Sequence, residues 1–165
     1  MWAIIKFDKK QFELLKRDFN KRLGKNFIMY APKLSVQKYK NNKFIKAEFN
    51  LLGDYLFCFH ENFKSSEIVK KLQFAKGLKY FLNGFIQSQE EIKKFIDKCK
   101  ESENKEGYIS QNFFELYISS KYRFSSGPFA EMIFKIIDLQ KNKINILLGN
   151  FKTTIKKNDF LFNHL

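Results

Sequence analysis

The apolar residues of this chain fall in short runs, and the kind of run changes once along its length. None approaches the roughly 20 residues that a membrane-spanning helix requires. Up to about residue 100, strand-like stretches alternate with stretches of helical spacing. Beyond it, short apolar runs are separated by turn residues alone. The change falls at Glu101-Ser-Glu-Asn-Lys-Glu-Gly107, the most polar stretch, which reads as a short linker. The spacing therefore predicts two domains, residues 1–102 and 113–165, joined by 103–112.

In the first domain, Trp2 to Phe7 reads as a short strand. Asp8, with Gln11 three residues on, suits a capping box, and Gly24 is a natural stop for the helix that follows. Phe12, Leu15, Phe19 and Leu23 fall on one face of that helix and Lys10, Arg17 and Lys21 on the opposite one. A hairpin is expected around Asn41-Asn42, between Leu34-Ser-Val36 and Phe44-Ile45. Tyr55-Leu-Phe-Cys-Phe59 is nearly all apolar and reads as a central strand. Ser65 or Ser66 opens a helix through Leu72, Leu78 to Leu82 is another strand, and Ser88-Gln-Glu-Glu91 is a second capping box. Its helix places Ile92, Phe95, Ile96 and Cys99 on one face. The result is an α+β domain, a small antiparallel sheet with about three helices.

The second domain reads as a small β-barrel. Short strands are expected around Tyr122-Arg-Phe124, Met132 to Ile137, Ile144 to Leu148 and Thr153-Thr-Ile155, with turns at Gly127-Pro128, Lys141-Asn-Lys143 and Gly149-Asn150. Met132-Ile-Phe-Lys-Ile-Ile-Asp-Leu139 is also apolar enough for a buried helix, and period alone does not arbitrate so short a run. Gly127-Pro128, the Ile-rich composition and Thr153-Thr154 favour strands.

Charge narrows the function classes. Lys plus Arg number 31 against 17 Asp plus Glu, a net +14. Residues 1–102 carry 22 basic and 11 acidic groups, and residues 103–165 carry 9 and 6. Such a field favours nucleic acid, and less so an anionic membrane, for which an exposed Trp-rich amphipathic helix is missing. Only Arg17, Arg22 and Arg123 are arginines, so phosphate contacts by Lys are expected over bidentate readings of guanine. The lysine excess is also what A·T-rich coding would produce. Lys10, Arg17 and Lys21 suit either a phosphate-tracking face or an ordinary solvated one. With 44% apolar residues, 21 of them Phe, the chain has a real core and is not disordered. No signal peptide is evident, and a cytoplasmic protein is expected.

No catalytic constellation emerges. The two histidines are His60 and His164, and the cysteines Cys58 and Cys99 lie far apart. None has metal-ligand spacing with a carboxylate, and no Gly-rich phosphate loop or Ser elbow is present. A non-enzyme without metal or cofactor is expected.

Four landmarks recur in order. They are the opening Trp2, then Leu51-Leu-Gly-Asp-Tyr-Leu-Phe57, then Gly77-Leu-Lys-Tyr-Phe81 with Gly84-Phe85, and Ser126-Gly-Pro-Phe-Ala130 after Lys121-Tyr-Arg-Phe124. Together they resemble the NusG family of transcription elongation and antitermination factors, the last as the start of its KOW domain. The chain departs from the family pattern at Leu51-Leu52, where Phe-Pro is usual, and at Phe134, where the KOW glycine is usual. Its tail looks closer to the specialised RfaH-like paralogues.

The resemblance implies a monomeric two-domain factor. Its N-terminal domain would dock on the clamp helices of RNA polymerase and suppress pausing or termination. Tyr55 lies on the family's docking tyrosine, with Leu52 and Phe57 beside it, Phe85 as a further contact, and Ile92 and Phe95 as neighbours. Lys10, Arg17 and Lys21 would meet DNA or the nascent RNA backbone. An SH3-like KOW barrel would recruit a ribosomal protein or Rho. In RfaH-like members this domain can also form a helical hairpin. The rival reading is a KOW-containing RNA-binding or ribosome-associated protein without polymerase.

Overall fold

The computed structural model describes residues 1–24 and 26–165, the side chain of Tyr39 apart. The chain gathers into two compact units, Met1–Pro32 with Asn50–Lys98, and Lys33–Phe49 with Cys99–Leu165. The fold mixes helices with antiparallel sheets.

The first unit opens with β1 (Trp2–Phe7). Asp8 then accepts from the Lys10 N–H at 2.9 Å and caps a 3-10 turn, Lys9–Gln11, that precedes α1 (Phe12–Leu23). The capping box expected at Asp8 thus starts a tighter turn, and Lys10 lies on that turn rather than on α1. Gly24 ends α1 with φ +79 and its N–H on the Asn20 carbonyl at 3.0 Å. Next come β2 (Ile28–Tyr30), the paired strands β3 (Lys33–Lys40) and β4 (Lys43–Asn50), and β5 (Tyr55–Phe59). α2 (Ser66–Leu72), β6 (Leu78–Phe81) and α3 (Gln89–Glu101) follow.

The four-stranded sheet has the order β2-β5-β1-β6. β5 pairs antiparallel with both β1 and β2, so this apolar strand is interior as expected, and β1 pairs with β6 on its other side. Successive side chains alternate between faces. Ala3, Ile5 and Phe7 of β1, with Leu56 and Cys58 of β5, are buried on one face. Phe7 meets Phe12 of α1 there at 5.4 Å between centroids. Leu15 and Phe19 are fully buried, as the apolar face of α1 predicts. Gly77 closes this side. Its φ is +82, and a Cβ would stand 2.7 Å from the Gln11 carbonyl oxygen, so any side chain would force the backbone apart.

Gln89 ties α3 to β1. Its side-chain oxygen accepts from the Trp2 N–H at 2.9 Å, and its amide donates to the carbonyls of Trp2 at 2.6 Å and Phe85 at 2.5 Å. The chain at the end of β6 bonds β1 no farther back than Ile4, whose carbonyl accepts from the Leu82 N–H at 2.8 Å, so the amide supplies the bonds that a longer β6 would have made to Trp2.

In the second unit, β3 and β4 meet at Asn41 and Asn42, both at positive φ (52 and 59), the pattern of a tight two-residue turn. The stretch expected as a linker is folded onto this hairpin. The Ile109 N–H donates to the Lys33 carbonyl at 2.7 Å, Tyr108 hydrogen-bonds Glu48, and Lys46 pairs with Glu106 at 2.9 Å. Ile109 is 1% exposed. The polar residues that look like a linker are side-chain and backbone partners for the hairpin.

β7 (Lys121–Phe124), β8 (Ile133–Leu139), β9 (Lys143–Leu148), β10 (Phe151–Lys156) and β11 (Phe162–His164) form a five-stranded antiparallel sheet in the order β10-β9-β8-β7-β11. The run from Met132 to Leu139, readable as helix or strand, is a strand. Phe134 and Ile136 are buried, with Ile133 and Lys135 exposed between them. Phe134 lies tilted against Phe124 at 4.3 Å and stacks on Tyr122 at 5.9 Å, with Phe162 edge-on at 5.2 Å. Gly127 has φ +80 and the Phe160 ring 2.4 Å from where a Cβ would lie, so position 127 disfavours any side chain.

Candidate functional site

The register of β1 with β5 sets Ile4 beside Phe57 and Lys6 beside Tyr55. These residues share the sheet face opposite Ile5, the face on which Phe95 of α3 meets Phe57 at 5.8 Å. α3 covers only part of it. The remainder is an open apolar groove of about 620 Å³. Ile4, Phe57 and Tyr55 lie along the sheet, Leu52 comes from the turn before β5, Leu82 from the end of β6, and Ile92 and Phe95 from α3. Ser88 and Glu91 supply its polar edge.

Leu52, Tyr55 and Phe57 therefore line one surface. Leu52 and Tyr55 are half-buried, while Phe57 is 3% exposed and belongs to the core as much as to the groove. Ile92 and Phe95 line the same groove. Phe85 does not. It is buried against Phe81, at 6.1 Å, and Phe81 is registered with Ile5 on the α1 side of the sheet. Phe85 is thus core, and Leu82 stands in the place the sequence suggested for it. Alternation past the buried Phe81 turns Tyr80 and Leu82 toward the groove face, a signal present in the sequence.

Tyr55 ends the groove in a polar cluster. Its hydroxyl lies 2.8 Å from that of Tyr80, and the Lys6 ammonium stands 5.3 Å from the Tyr55 ring centroid and 5.7 Å from that of Tyr80. The hydrogen bond to Tyr80, with lesser help from desolvation, holds the Tyr55 phenol above its ordinary pKa. The neighbouring Tyr55, then Tyr80, hold the Lys6 ammonium above its own. A cation over two ring faces fixes the orientation of both rings. Lys9 pairs with Asp54 at 3.1 Å, and that bond lowers the Asp54 pKa. The groove is an apolar floor with a cationic, hydroxyl-bearing end and a carboxylate, Glu91, at its edge. Such a surface suits docking of a protein side chain or helix.

The basic residues lie elsewhere. Arg17 and Lys21 are exposed one turn apart on α1, and neither forms a salt bridge among the described residues. Arg17 borders a shallow depression with Glu13, Phe27 and Met29. Arg22 instead pairs with Asp18 at 3.7 Å and donates to the Lys71 carbonyl at 3.0 Å. Lys10 is exposed on the preceding turn.

Cys58 and His60 have structural surroundings. Cys58 is fully buried, and burial pushes its thiol up to about 12. The His60 Nδ1 accepts from the Asn62 N–H at 3.1 Å and caps the turn at Glu61–Lys64, with its ring 5.8 Å from Phe63. Among the described residues no three His, Cys, Asp or Glu side chains are grouped to hold a metal ion. No helix among them is long and apolar enough to cross a membrane.

Among solved structures, the chain is similar to one in the MjSpt4:Spt5 complex in conformation B, at 15% identity over 100% of this chain and 99% of that one, with a TM-score of 0.32. It is also similar to Thermotoga maritima NusG, in a structure of its domain interaction, at 13% identity over 94% of this chain and 91% of that one, again with a TM-score of 0.32. No protein-family model and no curated protein sequence matches it.

Proposed function

We propose that this chain is a NusG-like transcription elongation factor that docks on RNA polymerase through the groove of its first unit. The observation that carries the reading is the groove itself. Three of the four residues assigned to docking from the sequence pattern, Leu52, Tyr55 and Phe57, line one open apolar surface although Tyr55 and the α3 residues Ile92 and Phe95 are some 40 positions apart. An aromatic anchor in an apolar surface is the usual centre of a protein interface. In this reading Lys10, Arg17 and Lys21 contact the phosphates of DNA or nascent RNA near the polymerase. The five-stranded unit acts as the KOW barrel and recruits a second partner, a ribosomal protein or Rho.

Binding of the full chain to purified core RNA polymerase tests the proposal, with Tyr55→Ala as the variant. Loss of an interface anchor should weaken binding by about 1–3 kcal/mol, roughly 5- to 150-fold. Unchanged affinity in a variant with native circular dichroism removes Tyr55 from the interface. Binding to ribosomes or RNA with none to polymerase overturns the reading in favour of the ribosome-associated one.

A further inference from the structure

The five-stranded sheet of the second unit sorts lysines onto one of its faces. β7, β8, β9 and β10 bury Tyr122, Phe124, Phe134, Ile136, Ile144, Ile146 and Ile155 on the inner side. Alternation therefore sends Lys121, Lys135, Lys143, Lys152 and Lys156 to the other side, and all five are exposed.

Register then lines them up. Lys121 lies directly opposite Lys135, Lys135 opposite Leu147, and Leu147 opposite Lys152, one row across four strands. Lys143 lies opposite Lys156 in a second row. Between the rows runs a polar row in which Asp138 accepts from Asn145 at 3.2 Å and Asn145 from Thr154 at 2.7 Å. Asp138 is the carboxylate on this face. Glu131 pairs with Arg123, at 4.0 Å, beyond the first row. None of the five lysines forms a salt bridge among the described residues.

Like charges directly opposed across strands destabilise a sheet. Here two such pairs stand, and among the described residues neither pair forms a salt bridge. Folding alone does not call for them, whereas a bound polyanion would neutralise both. We propose that this outer sheet face binds the phosphate backbone of a single nucleic-acid strand. Strands lie about 4.8 Å apart, so the four-strand row spans about 14 Å, room for a few nucleotides. Leu147 sits within the lysine row, and the exposed Ile133 and Ile137 flank it on β8. Apolar side chains among phosphate contacts can meet the faces of unpaired bases, which a duplex keeps stacked inside. The inference does not depend on the polymerase groove, which lies in the other unit.

The test is fluorescence anisotropy of the full chain with a labelled 20-nucleotide oligo-uridine across a salt series. The triple variant Lys135→Gln, Lys143→Gln, Lys152→Gln removes three phosphate contacts. At about 0.7 per single-strand contact, the slope of log K against log salt should shrink by about 2, roughly a hundredfold loss at about 0.1 M salt. The Lys→Arg triple should keep the slope. Because the Gln substitutions relieve opposed charges, the thermal midpoint of the Gln triple should not fall. Should it unfold, Lys152→Gln alone, on an end strand, should still lower the slope by about 0.7. An unchanged slope in folded variants overturns the proposal. So does equal affinity for a duplex of the same length, or binding to phosphatidylserine vesicles with none to the strand. A slope that falls only when Lys10, Arg17 and Lys21 are neutralised places nucleic acid on α1 and overturns it as well.

Discussion

Removing the Gln89 amide should loosen the helix that forms one wall of the groove. Gln89 makes three hydrogen bonds, to both backbone groups of Trp2 and to the Phe85 carbonyl, all partly shielded from water. Each is worth a net 0.5–1.5 kcal/mol, so Gln89→Ala should destabilise the first unit by about 1.5–4 kcal/mol. The readout is built in. Trp2 is the sole tryptophan and its indole packs edge-on against Phe59 at 5.3 Å. Urea unfolding followed by its fluorescence therefore reports this corner of the molecule. Gln89→Glu sharpens the test. A carboxylate can still accept from the Trp2 N–H, but it faces the carbonyls of Trp2 and Phe85, where the amide donated. That placement raises the folded-state pKa of the introduced acid above its unfolded value of about 4.3. A group so shifted contributes stability that is complete below the unfolded pKa and lost as pH rises through the folded one. The Glu variant should thus be at least as unstable as the Ala variant at pH 7 and recover toward wild type near pH 4, while the Ala variant shows no such recovery. A loss under about 0.5 kcal/mol for Gln89→Ala, or a Glu penalty independent of pH, would refute the reasoning.

Three other outcomes follow from the packing. Phe134→Ala should cost about 3–5 kcal/mol, because a fully buried ring in contact with three others leaves a cavity, and thermal unfolding by circular dichroism should show it. Tyr80→Phe should bring the Tyr55 phenol down toward its ordinary pKa of about 10, since the Tyr80 hydrogen bond is the main cause of its rise, and ultraviolet titration of tyrosinate measures this. Cys58, fully buried with its thiol near 12, should resist alkylation at pH 8 in the native protein and react at once in urea.

Local elements were legible because short-range physics specifies them. The apolar period of Phe12, Leu15, Phe19 and Leu23 locates α1, Asn41-Asn42 locates the hairpin, and alternation about Phe134 and Ile136 decides for a strand once the partner strands are present. β2 and β11, three residues each, are too short to show a period and exist because a neighbouring strand offers them hydrogen bonds. The groove was legible in part. Tyr55, Leu52 and Phe57 sit close together in sequence, but Ile4, Leu82, Ile92 and Phe95 join them only through the register of β1 with β5 and the seating of α3. Phe85 was misplaced because an aromatic residue after a glycine looks the same whether it turns outward or packs on Phe81. The stretch 101–107 looked like a linker because its composition is polar, and composition does not say whether polar groups meet water or the edge of a hairpin. The lysine rows are the extreme case. Each lysine alone is an unremarkable surface charge, and only strand register, a long-range choice made by burying the opposite face, sets Lys121 against Lys135 and Lys143 against Lys156.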